Sequence, residues 1–452
     1  MKQILILGAG FSTPALIHYL LDKAEENDWF VTVGDIEVEK AERIVNHHPR
    51  GAAIVFDVND VNMRTTHIKK ADVVVNMLSP VYQYLIALDC LHHGKHMISA
   101  SYEDIRVQHL NLDAHRKGIL ILNEMGLDPG LDHMSAMALI DDVHQREGVI
   151  KSFLSYGGGL PAPEINSNPL RYCITWNPRN VVRAGEAGAQ YMEEGQIKLL
   201  PYHQVFKRTW PVEIEGIGTL EAYPNRNSLI YRHRFGLNGV NTLIRGTLRY
   251  PGWSETWYHI VNLGLTNDSL PIPDLHRRTY REFMQMFLPL SISGKKPETR
   301  LANYLGISPT GKIMENLRYL GLFSDEVIGG NVKTAADVMM KIVLDKLQFP
   351  PGGRDMVIIC HEIQVEYPRE NYRSECLRTT FTEYGDPDGF TAIAKTVGLP
   401  TAIATALLLR GELPLTGCHI PTIPAIYVPV LRELKKLGFA FKEEIIIPEE
   451  ET

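Results

Sequence analysis

An α/β protein with a doubly wound parallel sheet is what three observations in the sequence predict. Short apolar runs alternate with segments of helical spacing over the first 125 residues, the pattern of parallel strands joined by crossover helices. A glycine turn, Gly8-Ala9-Gly10, follows the first apolar run and opens a helix. Beyond residue 126 the strand-like stretches lengthen, and residues 271–349 are mostly helical in pattern. The fold class is therefore a Rossmann-type sheet plus a second α/β domain and a small helical insert.

The elements follow in order. Residues 4–7 form a strand ended by Gly8, and residues 14–23 a helix with Leu16, Leu20 and Leu21 on one face. Strands are predicted at 30–33, 53–56, 71–77, 96–98 and 119–122, with helices at 38–45, 82–92 and 105–115. A further helix spans 131–144, where Met134, Met137, Ala138 and Ile140 recur at helical spacing. Strands follow at 150–156, 212–214 and 247–250, then helices at 312–322 and 335–347. Two strands at 356–367 and 376–384 flank a polar turn, and the chain closes with helices at 390–410 and 426–437, the last capped by Gly438. The acidic run Glu449 to Glu451 reads as a solvated tail.

Composition narrows the function classes. The chain has 452 residues, 44% of them hydrophobic, too apolar for disorder and long enough for two or three domains. A net charge of -7 gives no general attraction to nucleic acid. Five cysteines, Cys90, Cys173, Cys360, Cys376 and Cys418, are scattered with no CxxC spacing; they read as reduced thiols, with neither a disulfide framework nor a metal site expected. Met1-Lys2-Gln3 runs straight into the first strand, so no signal peptide is expected, and the apolar stretch 401–409 is too short to span a bilayer. The expectation is a cytoplasmic protein with no membrane segment.

The glycine turn carries the first functional signal. Gly8 permits a tight turn, and Gly10 lets the backbone approach a pyrophosphate at the helix N-terminus. Thr13 stands where the nucleotide fingerprint has its third glycine. Asp35, ending the second strand, suits the ribose hydroxyls of NAD and repels the 2′-phosphate of NADP, so NAD is expected over NADP. Asp57 and Val58, after the third strand, are placed to sit near an adenine.

Dense polar and glycine clusters follow: Ser99 to Tyr102, Gly126 to His133, Gly157 to Glu164, Tyr223 to Arg226 and Arg245 to Tyr250. Composition reads them as loops. In this order, the segments GLDPGLDHM, GGLPAPE, YPNR and RGTLRY, with the stretch from Asp386 to Pro400, closely resemble the saccharopine dehydrogenase (L-glutamate-forming) or saccharopine reductase family. Among its members the chain looks nearest to the dehydrogenase half of the bifunctional aminoadipic semialdehyde synthase of animals.

That resemblance covers essentially the whole chain and implies reversible, nicotinamide-dependent oxidation of saccharopine to L-glutamate and 2-aminoadipate 6-semialdehyde. It implies substrate contacts at Ser101, Tyr102, Asp128, Arg226 and Thr247, with acid–base work at Asp128 and Tyr102. It implies cofactor contacts at Ala9, Gly10, Phe11, Ser12, Asp35, Asp57, Leu78, Ser99, Leu127, Pro129 and Thr175, beside Gly8 of the turn. Arg226 is the natural clamp for a substrate with three carboxylates. The implied organisation is a dinucleotide-binding domain at 1–125 completed by about 390–452, a substrate and dimerisation domain at 126–270 and 350–389, and a helical domain at 271–349, in a homodimer. Asp132 and His133 are expected to hold the following helix, and Arg245 and Arg249 to be structural.

Two departures matter. Gly157 stands where the family commonly has a cysteine lining the site, which touches rate or substrate more than reaction type. Fungal members have an arginine after the second strand and prefer NADP, whereas this chain reads Asp35-Ile36-Glu37. The rival readings are another imine reductase, such as a carboxynorspermidine or lysine dehydrogenase, and a non-catalytic NAD-binding regulatory protein.

Overall fold

The computed structural model describes residues 1–446, so the expected acidic tail at 449–451 lies outside the described residues. The chain forms two compact units, Met1–Ile150 with Val365–Thr452, and Lys151–Gln364.

In the first unit the N-terminal elements are β1 Lys2–Leu7, α1 Pro14–Asp22, β2 Trp29–Asp35, α2 Val38–Val45, β3 Gly51–Val55, α3 Val61–Lys70, β4 Val73–Asn76, α4 Gln83–His93, β5 His96–Ser99, α5 Ile105–Gln108, α6 Asn111–Arg116, β6 Leu120–Leu122 and α7 Leu131–Gln145. A seventh strand, Gly417–His419, joins them. The strand order is Gly417–His419, β6, β5, β4, β1, β2, β3. Every pair is parallel. Parallel strands need both faces covered, and β4 is buried throughout while Ile4 to Leu7 of β1 are at most 2% exposed. The order reverses direction between β1 and β4, which opens the crevice at their carboxyl ends where such sheets bind ligands.

The strand and helix pattern was thus largely readable, although the strands Gly417–His419 and Phe441–Ile446 were not anticipated. Helix α3 was not anticipated: Asp60 caps it by accepting the Asn62 and Met63 backbone N–H groups, yet only Arg64 and Ile68 are buried, so it carries almost no apolar stripe. The helix expected at 105–115 is two short helices separated at residues 109–110. The apolar stretch 401–409 belongs to a helix, Ala392–Leu409, long and apolar enough to cross a membrane; 72% of it is buried in the fold, as in a core helix. It packs along α1. A Cβ on its Gly398 would lie 2.8 Å from the Leu16 backbone nitrogen, so glycine is required for the two helices to approach this closely. An antiparallel pair, Arg373–Tyr384 with Phe441–Ile446, also belongs to this unit.

The second unit is built on a mixed sheet whose neighbouring strands are, in order, Trp210–Ile214, Gly218–Pro224, Thr242–Arg249, Val149–Pro161 and Asp355–Tyr367. Gly218–Pro224 is antiparallel to both its neighbours, and Thr242–Arg249 runs parallel to Val149–Pro161. The glycine cluster at 157–161 is therefore strand where composition suggested loop, and the strand expected at 247–250 begins earlier, at Thr242. Close approach explains two of the glycines in these strands. A Cβ at Gly158 would meet Leu248 at 2.9 Å, and one at Gly246 would meet the Tyr156 ring at 3.0 Å. The helical stretch expected at 271–349 is part of this unit, including Pro297–Leu305, Lys312–Tyr319 and Ala335–Lys346. Trp253 and Trp257, both fully buried, stack at 4.8 Å in its core.

Candidate active site

In the first unit the residues singled out by sequence collect at the carboxyl ends of the parallel strands: Gly8 to Ser12 after β1, Asp35 at the end of β2, Asp57 and Val58 after β3, Leu78 after β4, Ser99 in β5 with Ser101 and Tyr102 beyond it, and Leu127 to Pro129 after β6. Gly8 has φ +104, and a Cβ there would press on the Met77 carbonyl at 3.1 Å. Nothing lies within 4 Å of where a Gly10 Cβ would stand. The turn thus offers an opening lined by backbone beside the N-terminus of α1, which fits a nucleotide pyrophosphate. Thr13, in the third-glycine position, is 1% exposed; its hydroxyl donates to the Gly10 carbonyl at 2.9 Å and so closes the turn. The close packing that a third glycine usually permits comes here from Gly398, whose Cβ would also meet the Ser12 carbonyl at 3.2 Å.

Asp35 is fixed by the loop it faces. One carboxylate oxygen accepts the Ala9 N–H at 2.8 Å and the other the Glu37 N–H at 2.9 Å. A carboxylate has about four acceptor sites, so capacity remains for ribose hydroxyls. Asp57 accepts from the backbone and side chain of Asn59 at 2.8 and 3.1 Å, closing its own turn, and Val58 is buried. The Leu78 N–H reaches the Asn76 side chain at 3.3 Å.

The acid–base candidates meet directly. Tyr102 donates its hydroxyl to an Asp128 carboxylate oxygen at 2.7 Å. Both are partly buried. On one side, the Ser99 hydroxyl accepts the Ser101 N–H at 3.2 Å, and buried Gln83 reaches the Ser101 carbonyl at 3.4 Å and Asn123 at 2.9 Å. On the other, Gly126 to Leu131 forms a tight loop with a cis bond between Asp128 and Pro129. A Cβ at Gly130, whose φ is +145, would fall 2.2 Å from the Gly126 carbonyl oxygen, so no other residue fits there.

Asp132 and His133, expected to hold the next helix, do begin α7, and they also reach back. Asp132 accepts the Gly130 N–H at 2.7 Å, and the two His133 ring nitrogens lie 3.1 Å from Asp132 and 3.0 Å from Glu124. Glu124 was not singled out by sequence. Its only signal is a carboxylate right after a buried apolar strand and before the GLDPG loop. Gln83 and Asn123 left no signal beyond polar residues within buried elements, and Gly398 left the signal of a glycine inside an apolar helix.

The second unit holds the remaining candidates. Thr247 lies on the strand Thr242–Arg249, in register with Gly157. Arg226, at φ +52, opens the two-residue strand Arg226–Asn227, which pairs with Ala189 and Gln190, and its side chain is exposed. Thr175 is 4% exposed and its hydroxyl has no hydrogen-bond partner among the described residues, which fits a ligand contact. Arg245 and Arg249 are buried against aromatic rings. The Arg245 guanidinium lies 4.5 Å from the Tyr231 ring, and that of Arg249 lies 4.9 Å from both Tyr172 and Trp253, a packing role. Among the described residues no group of His, Cys, Asp or Glu is arranged to hold a metal ion. Cys418, near the seventh strand's start, has its thiol pushed up to about 12 by burial and Glu103, so it stays protonated.

Comparison with known proteins agrees along the full length. Residues 4–122 match the domain family described as "Saccharopine dehydrogenase NADP binding domain", and residues 126–439 the one described as "Saccharopine dehydrogenase C-terminal domain". The chain is 31% identical over 455 residues to the Schizosaccharomyces pombe protein named saccharopine dehydrogenase [NADP(+), L-glutamate-forming], covering 99% of each. It is 32% identical to the mitochondrial alpha-aminoadipic semialdehyde synthase of Bos taurus, matching 99% of this chain and 48% of that protein, so it spans about half the synthase. The apo structure of saccharopine dehydrogenase (L-Glu forming) from Saccharomyces cerevisiae superposes with a TM-score of 0.87 at 30% identity, over 99% of this chain and 100% of that one.

Proposed function

Because this chain belongs to the saccharopine dehydrogenase family, we propose that it interconverts saccharopine with L-glutamate and 2-aminoadipate 6-semialdehyde, as a nicotinamide-dependent oxidoreductase of lysine metabolism. The observation that carries this reading is the 2.7 Å hydrogen bond from Tyr102 to Asp128, beside a backbone-lined glycine turn. A bound nicotinamide supplies the two-electron acceptor for the C–N bond. The chain's residues have the proton work. Asp128 accepts the proton that must leave the substrate's secondary ammonium before oxidation. Tyr102, hydrogen-bonded to it, passes protons to and from the water that opens the resulting imine. Arg226 pairs with a substrate carboxylate through its planar guanidinium.

The cofactor we assign is NAD. Asp35 is anchored by two backbone N–H groups, so a ribose 2′-phosphate would meet its carboxylate there, while Glu37 two residues on is paired with Lys40. The fungal relatives carry NADP(+) in their names, which makes this preference a distinguishing property. Mixing purified protein with saccharopine and either cofactor, and following reduced-nicotinamide absorbance and glutamate release, tests both assignments. NADH formation with glutamate is the expected result. Turnover with NADP alone removes the role given to Asp35, and silence with both cofactors removes the substrate. Gly157, in register with Thr247, favours as a second reading a related secondary amine bulkier at that point. Carboxynorspermidine turnover without saccharopine turnover would select it.

A further inference from the structure

We propose that His133 is a positioning residue for the Tyr102–Asp128 pair, clamped between Glu124 and Asp132 so that one buried ring fixes both loops that carry the pair. Each carboxylate divides its two oxygens between the ring and a backbone N–H. Glu124 places one oxygen 3.0 Å from His133 Nε2, and its other accepts the N–H of Glu103, next to Tyr102, at 2.9 Å. Asp132 places one oxygen 3.1 Å from His133 Nδ1, and its other accepts the N–H of Gly130, two residues past Asp128, at 2.7 Å. The Tyr102–Asp128 hydrogen bond closes the ring of contacts. All members belong to the first unit.

Three features point past simple helix capping. His133, Glu124 and Asp132 are 1%, 1% and 4% exposed, and ionisable groups are kept this far from water only when paired. Each ring nitrogen lies within ion-pair distance of a carboxylate oxygen, a Coulombic bridge rather than two aligned hydrogen bonds. Glu124 is held at φ +60, backbone that glycine or asparagine adopts more readily. A glycine there would lose both carboxylate contacts.

The bracket acts on geometry, through the backbone N–H groups of Glu103 and Gly130 that flank the pair. A displacement of about 1 Å at a reacting group costs roughly 100-fold in rate. His133→Gln keeps size and one donor but turns an acceptor toward one carboxylate. The expected result is a 10- to 100-fold lower kcat for saccharopine oxidation, with cofactor Kd and saccharopine KM changed less than twofold, and no further loss when His133→Gln is added to Asp128→Asn. An unchanged kcat, or the same factor lost in both backgrounds, overturns the proposal. Glu124→Gln, which retains the acceptor for the Glu103 N–H, serves should His133→Gln not fold, with the same expectations.

The kinetic arm rests on the saccharopine reading; a second arm does not. The ¹³Cζ tyrosine resonance of Tyr102, assigned with Tyr102→Phe, reports its hydrogen bond to Asp128. It should move the same way in His133→Gln or Glu124→Gln as in Asp128→Asn. If the wild type leaves saccharopine untouched but the resonance moves, the function fails and the bracket stands. A resonance that stays in place refutes the bracket whatever the substrate.

Discussion

At the scale of single residues, Asp128 and Arg226 should separate cleanly in kinetics. Asp128→Asn removes the base we propose while leaving shape, so kcat should fall at least 100-fold with little change in KM. Arg226→Ala should instead raise the saccharopine KM about tenfold, about 1.4 kcal/mol of lost charge-assisted hydrogen bonding. Initial rates across saccharopine concentrations distinguish the two, and equal effects on both parameters would remove the division of labour. Asp35 makes a third case. Asp35→Ala takes the acceptor from the Ala9 and Glu37 N–H groups as well as from the ribose we assign to it, so on the proposed NAD reading it should weaken NAD binding and relax discrimination against NADP together. The ratio of kcat/KM for the two cofactors measures it.

Elements explain what a sequence can and cannot reveal here. The strands from β1 to β6 were legible because each is a short apolar run closed by a turn, and parallel strands need no polar face. Helix α3 was not, because it is held by the Asp60 cap rather than by an apolar stripe. Gly158, within 157–161, read as loop because its reason, the side chain and backbone of Leu248 at 2.9–3.0 Å from where its Cβ would stand, is a tertiary contact with no local mark. The same holds for the Glu124 bracket: adjacency in sequence gives Asp132 and His133, but the third partner comes from another loop. Gly398 offers a test where two effects oppose. Gly398→Ala gains up to about 1 kcal/mol of helix propensity, but its Cβ would sit 2.8 Å from backbone of α1, where overpacking costs about 1–3 kcal/mol. The clash should win, lowering the thermal midpoint and loosening cofactor binding through the adjacent Ser12 carbonyl. A raised midpoint would show that the two helices part without penalty.

For the whole molecule, one part of the pH response at high pH follows from a partly buried contact between distant parts of the chain. Tyr427, on the helix Pro424–Lys436, donates to Asp141 on α7, and burial, with that carboxylate, pushes its phenol well above the ordinary value. A group whose folded pKa lies above its unfolded value stabilises the fold fully below the unfolded pKa, about 10 for tyrosine, and that contribution disappears as pH rises toward the folded value. Urea midpoints should therefore fall between about pH 10 and 11 more steeply for the wild type than for Tyr427→Phe, which should be about 1–2 kcal/mol less stable at pH 8. Parallel curves would leave Asp141 and Tyr427 without a stabilising role.

The first unit is interrupted by the whole of Lys151–Gln364, and this sets a timetable for a ribosome. When residue 150 emerges, β1 to β6 exist, but the helix that covers α1 and the strand that pairs with β6 lie beyond residue 390. At roughly 5–20 residues per second of translation, the nascent nucleotide-binding half waits on the order of ten seconds or more with the outer edge of β6 unpaired and α1 uncovered. A contiguous second unit has no such delay and is free to fold first, in the middle of the chain. Chains stalled or truncated before residue 390 should accordingly be retained by chaperones or aggregate, while those extended past residue 436 escape.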